Sequence, residues 1–251
     1  MDLIFITPIL FFFIAFVFSM LGMGGSQLYI PILFWLGMDF KTQAIPLGML
    51  LNVINSLSAA ITYGRKRLID WKVAIPFGLT MILFAPLGAW LNISLPTKPV
   101  ILIFALFTAM AAILMLSGWR PNRGEFTTKG KTVLGASGGS VLGFFAGLIG
   151  RGGGSFVVPL LYITGLEAKA AAATSAFVVT CSGTSSFISH IFTAAHPQWI
   201  IWVLCVLAVL GGSQLGSRLM ATKLKSKYIK VIFGTVLIGV AAALIIQNFL
   251  L

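Results

Sequence analysis

Apolar side chains run along this chain in stretches of about 20 residues, the length a helix needs to cross the hydrocarbon of a bilayer. Such stretches cover roughly 3 to 22, 42 to 64, 71 to 93, 99 to 118, 132 to 149, 170 to 192, 199 to 221 and 229 to 250. Two shorter runs, roughly 26 to 36 and 154 to 164, follow the most glycine-rich points of the chain and are too short to cross comfortably. The pattern predicts an all-α integral membrane protein that meets the bilayer many times. The first stretch has no basic lead-in and no small-residue cleavage site, so it is expected to be a span and not a cleaved signal peptide.

The two glycine-rich points reveal an internal repeat. Gly22-Met23-Gly24-Gly25-Ser26 with Pro31 returns as Gly150-Arg151-Gly152-Gly153-Gly154 with Pro159, a shift of 128 residues from Gly22 to Gly150. Without a gap, the same shift sets Gly37 on Gly165, Asp39 on Glu167, Lys41 on Lys169, Ala44 on Ala172, Ser58 on Ser186, Trp71 on Trp199 and Gly88 on Gly216. Register held this long predicts two homologous membrane repeats, 1–122 and 130–251. The polar stretch 123–129 is expected to be a cytoplasmic linker between them.

Charge then bears on orientation. With 59% apolar residues and 9% charged ones, a water-soluble domain is excluded. The net charge of +12 does not ask for a nucleic acid, because the basic residues lie between apolar runs, where cytoplasmic loops collect Lys and Arg. If each short run after a glycine cluster reverses direction, every basic residue falls on the cytoplasmic side except Lys41, Lys98 and Arg151. Four plain crossings per half would instead leave Lys223, Lys225, Lys227 and Lys230 outside. The loops agree, since Arg65-Lys66-Arg67 corresponds to Thr193-Ala194-Ala195, and the lysine-poor 94–98 corresponds to the lysine-rich 222–227 region. The expected fold is therefore two inverted-topology repeats of about five helical segments, broken at glycines near the midplane, with both termini outside. Lys41 and Lys169 fit it poorly, because inversion puts one of them on the wrong side.

Glycine clusters between apolar helices are poor places to continue a helix, each glycine costing about 1 kcal/mol against alanine. Broken backbone at membrane depth survives only in protein or beside a wet cavity, and matched breaks in two repeats point to a transport site. The short helices starting near Ser26 and Ser155 would aim free N–H groups at that cavity, which suits an anion. The alternative is that the clusters serve only close helix packing, the role expected of Gly135, Gly138, Gly139, Gly143, Gly211, Gly212 and Gly216. Arg151 is the one basic residue within a cluster. At the bilayer centre it would cost roughly 3 kcal/mol unless paired or hydrated, so a bound anion suits it; at the surface it would be an interfacial anchor.

Polar side chains also interrupt the apolar runs that follow: Asn52, Asn55, Ser56 and Ser58 in the first half, Thr180, Ser182, Thr184, Ser185 and Ser186 in the second. Asn52 with Asn55, and Ser182 with Ser185, share a helix face three residues apart. They could ligate oxyanion oxygens or bond helix to helix. The candidate substrate-binding set is Gly24, Gly25, Ser26, Gln27, Asn52, Asn55, Arg151, Gly152, Gly153, Gly154, Ser155, Thr180, Ser182 and Thr184. No metal or cofactor is expected, since Cys181 and Cys205 sit in apolar runs without a ligand spacing, and His190 and His196 have no acidic neighbour. The acidic residues Asp2, Asp39, Asp70, Glu125 and Glu167 all lie at termini, loops or helix starts, with Asp39 and Glu167 placed to complement a helix dipole. No catalytic constellation occurs, and the chain is not read as an enzyme.

Tandem halves that each run an apolar helix into Gly-x-Gly-Gly with a following proline resemble the TauE/SafE family of sulfite and organosulfonate exporters. The resemblance spans nearly the whole chain, including the acidic-x-Lys triplets at 39–41 and 167–169 and the Trp71/Trp199 pair. It implies export of small sulfur-containing anions, such as sulfite, sulfoacetate or related sulfonates, across the bacterial cytoplasmic membrane. The expected partners are a small anionic substrate and the lipid bilayer. The competing functions are an anion channel, a proton-coupled carrier using His190, and a membrane enzyme or assembly factor.

Overall fold

A computed structural model describes residues 2–96, 128–148, 154–163, 165–192, 194–195 and 197–225, with isolated positions from 99 to 117 and from 228 to 246. The apolar runs expected at 99–118 and 229–250 are described only at scattered positions, and Arg151, Gly152, Gly153 and His196 lie outside the described residues. Within the described residues the protein is all-helical. The first repeat forms α1 (Asp2–Leu21), α2 (Ser26–Trp35), α3 (Ile45–Arg65) and α4 (Trp71–Ser94). The second forms α5 (Thr128–Leu148), α6 (Gly154–Ile163), α7 (Ala168–Ile191) and α8 (Trp199–Thr222). Moved by 128 residues, the first set falls on the second within a few residues at every boundary.

Four helical stretches among the described residues are long and apolar enough to cross a membrane: Phe40–Arg65, Trp71–Asn92, Ala168–Ile191 and Trp199–Thr222. Their outer faces are apolar too, with Leu79, Leu83, Leu87 and Trp90 exposed along α4 and Ile200, Val203 and Leu207 along α8. An apolar outer surface of that extent fits a membrane protein facing lipid.

Helix entries are built where the sequence places acidic residues. Asp39 caps a π-helical turn, Phe40–Ala44, that runs straight into α3, and its carboxylate accepts from Thr42 N at 2.8 Å and Thr42 Oγ1 at 2.7 Å. Those bonds, the hydroxyl's first, hold the Asp39 pKa below the usual carboxylate range. Glu167 stands at the same place before α7, without a capping bond from its side chain. The start of α7 two residues ahead of its apolar run, and of α5 four residues ahead at Thr128, shows that these polar first turns are helical.

The packing exchanges the repeats. Gly135 of α5 faces Val73 and Phe77 of α4, Gly143 faces Met81, and Gly147 faces Ala85 and Ala89, so the two helices run the same way in close contact. The repeat-equivalent pair does likewise: Gly212 of α8 faces Phe12 and Ala15 of α1, and Gly216 faces Phe16 and Ser19. A Cβ on Gly88 or Gly216 would overlap the carbonyl of Phe144 or Phe16, so both glycines are there for backbone approach. The packing role expected of these glycines is what the structure shows.

Between these pairs, α3 crosses its own equivalent, α7, in the opposite direction. Ala195 N donates to Thr42 O at 3.0 Å at one end, Gly183 meets Asn52 and Val53 in the middle, and Asp70 N donates to Thr174 Oγ1 at 3.0 Å at the other. Helix α8 runs with α3, bonded through Ser213 to Asn55 O, Gln214 to Ser58 and Ser217 to Thr62. Helix α4 runs with α7, where Gly78 faces Cys181 and Ser185 Oγ donates to Ile82 O. Helices α1, α3 and α8 therefore point one way, and α4, α5 and α7 the other.

Lys41 and Lys169, the exceptions to the charge pattern, have matching roles. Lys41 Nζ donates to the Asn92 carbonyl at 2.8 Å and to that of Leu95, at the end of α4. Lys169 Nζ donates to the Ala221 carbonyl at 2.8 Å, at the end of α8. Each ammonium satisfies carbonyls that a helix C-terminus leaves unpaired and meets the negative end of its dipole. Helix capping, and not a side of the bilayer, accounts for both.

Candidate functional site

The candidate site begins where α1 stops. Gly22, Gly24 and Gly25 have φ of 68°, 84° and 104°, left-handed values that break the helix and turn the chain back into α2. Helix α2 then runs against α3, with Ser26 beside Asn52 and Ile30 against Gly48. Helix α2 thus runs antiparallel to α3.

A broken helix leaves backbone groups that apolar surroundings cannot satisfy. Here side chains from α3 and α7 supply the partners. Tyr63 Oη donates to Ser19 O at 2.6 Å, Ser175 Oγ to Gly22 O at 2.8 Å, and Asn55 Nδ2 to Gly24 O. At the start of α2, Ser26 N donates to Asn52 Oδ1 at 3.3 Å. Gln27 is fully buried, and its amide nitrogen lies 3.4 Å from the Met23 sulfur.

Gly154, the described residue of the second cluster, approaches the first. Gly154 opens α6 so close to Met23 that a Cβ there would sit 2.5 Å from Met23 Cα. Ser155 lies in the first turn of α6, with its side chain outside the described residues. The end of α5 that leads into this cluster is held as α1 is: His190 Nε2 lies 3.3 Å from Gly147 O, and Asn92 Nδ2 donates to Leu148 O at 2.7 Å. Gly147 is the repeat equivalent of Ser19, so matching carbonyls are held by an imidazole in one half and a phenol in the other.

The structure thus brings Gly24, Gly25, Ser26, Gln27, Asn52, Asn55 and Gly154 together. Ser182 is buried in α7, its hydroxyl donating to Val179 O at 3.3 Å. Thr180 and Thr184 belong to a different face. Each bonds back to the carbonyl four residues earlier at 2.8 Å, and both line a mainly apolar groove of about 390 Å³ between α4 and α7 with Ile82 and Pro86.

Four buried side-chain atoms have no hydrogen-bond partner among the described residues: Tyr29 Oη, Asn52 Nδ2, Asn55 Oδ1 and Ser186 Oγ. Each such group costs about 1–3 kcal/mol unless something answers it. Three of the four border the Gly24–Ser26 backbone. Tyr29 is absent from the sequence-derived set, although its position three residues after Ser26 puts it on the same side of α2. Ser186 is among the polar residues of α7 and one turn beyond Ser182, but Thr180 and Thr184 stood in its place.

Comparison with known proteins follows the same lines. The family described as "Sulfite exporter TauE/SafE" matches residues 8–244. The chain is 27% identical over 258 residues to the "Probable membrane transporter protein YunE" of Bacillus subtilis (strain 168), covering 92% of this chain and 93% of that one. A "Probable membrane transporter protein" of Xylella fastidiosa (strain Temecula1 / ATCC 700964) is 29% identical over 245 residues, with 94% and 92% covered. The "Sulfite exporter TauE/SafE family protein 5" of Arabidopsis thaliana is 31% identical over 117 residues, 44% of this chain and 25% of that one. No solved structure matches.

Gly183 tests whether the corner tolerates crowding. A Cβ there would sit 2.9 Å from Asn52 Nδ2 and 3.2 Å from Val53 Cγ2. Gly183→Ala is expected to push the Asn52 amide off Ser26 and cut substrate flux about tenfold, while costing only about 1–3 kcal/mol of stability by thermal unfolding in detergent. Unchanged flux in the variant would separate this corner from transport.

Proposed function

The chain belongs to the sulfite exporter TauE/SafE family of membrane transporters, and from that premise we propose that it exports small sulfur-containing anions, such as sulfite, sulfoacetate or related organosulfonates, across the bacterial cytoplasmic (inner) membrane. The observation that carries the proposal is the close approach of Gly154, the last residue of the second glycine cluster, to Met23 of the first. The N-terminus of α2 at Ser26, with Gln27 beside it, is one donor end of the site, and that of α6 at Gly154 and Ser155 is the other. Arg151, Gly152 and Gly153 complete the second cluster, with Arg151 as the anion's counter-charge. Asn52, Asn55 and Ser182 close the cavity from α3 and α7, while Thr180 and Thr184 line an approach between α4 and α7.

The repeats are two inverted units, 1–122 and 130–251, joined by a cytoplasmic linker. Three features support this reading: each long helix runs opposite to its repeat equivalent, α1 to α5, α3 to α7 and α4 to α8; α2 turns back at the glycines; and Lys41 and Lys169 are both occupied as helix caps. Alternating access follows as one unit rocks against the other about the α3/α7 crossing. The corner is packed tightly around Gly22, Gly24 and Asn52, so substrate enters only when the units part. With the cell interior negative, an anion moving outward gains about 2.3 kcal/mol per charge per 100 mV, so export needs no coupling ion and no enzymatic step. His190 serves the Gly147 carbonyl, a structural use that favours this reading over a proton-coupled carrier.

The direct test is uptake of sulfite, sulfoacetate, sulfate and acetate into inside-out vesicles, for the native chain and Arg151→Ala. Saturable sulfite or sulfonate flux that falls at least tenfold in the variant is expected. Flux that persists makes Arg151 an interfacial anchor, and no movement of any anion overturns the exporter. Orientation is checked by labelling single cysteines at 98 and 225 with a membrane-impermeant reagent in intact cells. Labelling at 98 alone is expected, and equal labelling of both would contradict the inverted topology.

A further inference from the structure

The unanswered groups at the glycine corner carry more information than their number. Asn55 Nδ2 donates to the Gly24 carbonyl, and only the nitrogen of an amide can do so, which leaves Asn55 Oδ1 as a pure acceptor. Asn52 Oδ1 accepts from Ser26 N, and only the oxygen can, which leaves Asn52 Nδ2 as a pure donor. Both amides are thus oriented by backbone atoms two residues apart. Tyr29 Oη, which donates or accepts, reaches the residue between them: a Cβ on Gly25 would lie 3.0 Å from it. Tyr29, Asn52 and Asn55 are all fully buried.

A fully deprotonated oxyanion offers lone pairs only. It satisfies Asn52 Nδ2 and the Tyr29 hydroxyl, but it sets a lone pair against Asn55 Oδ1. A guest that answers the whole set brings acceptors and one hydrogen-bond donor. Resting on the anion-site reading above, we infer that the site selects anions that carry their own donor: a hydroxyl- or amino-bearing alkanesulfonate, or the protonated monoanion of an oxyacid such as hydrogensulfite. The sulfonate or oxyacid oxygens face Asn52 and Tyr29, and the donor faces Asn55 Oδ1. A site built this way rejects an analogue that lacks the donor, because the buried acceptor is then left unpaired.

The test uses the full chain in proteoliposomes, in two arms that separate the two sources. One compares 2-hydroxyethanesulfonate with 1-propanesulfonate, equal in heavy atoms and charge. The other follows sulfite flux at fixed total concentration on either side of the second ionisation of sulfurous acid. A preference of about tenfold or more, for the hydroxyl in the first arm or for hydrogensulfite in the second, is expected, and the arm that shows it names the source. In Asn55→Leu, which keeps the number of side-chain heavy atoms and deletes the acceptor, absolute flux is expected to fall because the Gly24 carbonyl also loses its partner, and the ratio of donor-bearing to donor-free substrate transport is expected to lose its preference. Equal transport in both arms of the native chain overturns the inference and leaves the anion site standing. A preference that survives in Asn55→Leu overturns it as well. Should neither sulfonates nor sulfite move, the anion-site reading falls first and takes this inference with it.

Discussion

A helix that breaks inside apolar surroundings must find protein partners for every backbone group it exposes, and the rest of this molecule is arranged around that demand. The carbonyls of Ser19, Gly22 and Gly24 are answered by Tyr63, Ser175 and Asn55, and the first free N–H of α2 by Asn52. Three of those partners come from α3 and one from α7, so the break can exist only where both repeats meet. Without the α3/α7 crossing, several unpaired polar groups would face hydrocarbon at about 1–3 kcal/mol each, together enough to undo a marginal fold.

The same demand recurs at helix ends. Lys41 closes α4 and Lys169 closes α8, each from the entry of the helix that precedes it. Asn92 links the first of these to the end of α5, so the approach to the second glycine cluster is tied to a lysine of the first repeat. Bonds of this kind are strong when made and costly when half-made, which favours rigid units that move as bodies. Between the units, the α1/α8 and α4/α5 seams rest on glycine-to-backbone approach, whereas the α3/α7, α3/α8 and α4/α7 seams carry hydrogen bonds such as Ala195 N to Thr42 O, Ser213 to Asn55 O and Ser185 to Ile82 O. The glycine seams are smooth and suit sliding better than the hydrogen-bonded ones.

Much of this was legible in the sequence, because hydrophobic length and repeat register act on whole segments. The bounds of α1, α2, α4, α6 and α8 fall within a residue or so of the apolar runs, and the glycine clusters break the backbone where expected in the first repeat. What escaped depends on single residues and their neighbours. Thr180, Ser182 and Thr184 alternate along α7, and at 100° per residue their faces diverge; which face meets Asn52 is decided by α3, far away in sequence. Tyr29 reads as one more aromatic in an apolar run until its hydroxyl is found beside Gly25. Lys41 and Lys169 looked like charge errors because loop statistics count lysines, whereas the structure spends them on carbonyls.

The central claim is that the α3/α7 crossing must open and close for an anion to pass. The most direct measurement introduces Thr42→Cys with Ala195→Cys at the end where Ala195 N meets Thr42 O, with Cys181 and Cys205 replaced by alanine, and follows sulfite flux before and after oxidation. The account predicts that the disulfide stops transport and that reduction restores it. Undiminished flux through the locked protein would contradict it.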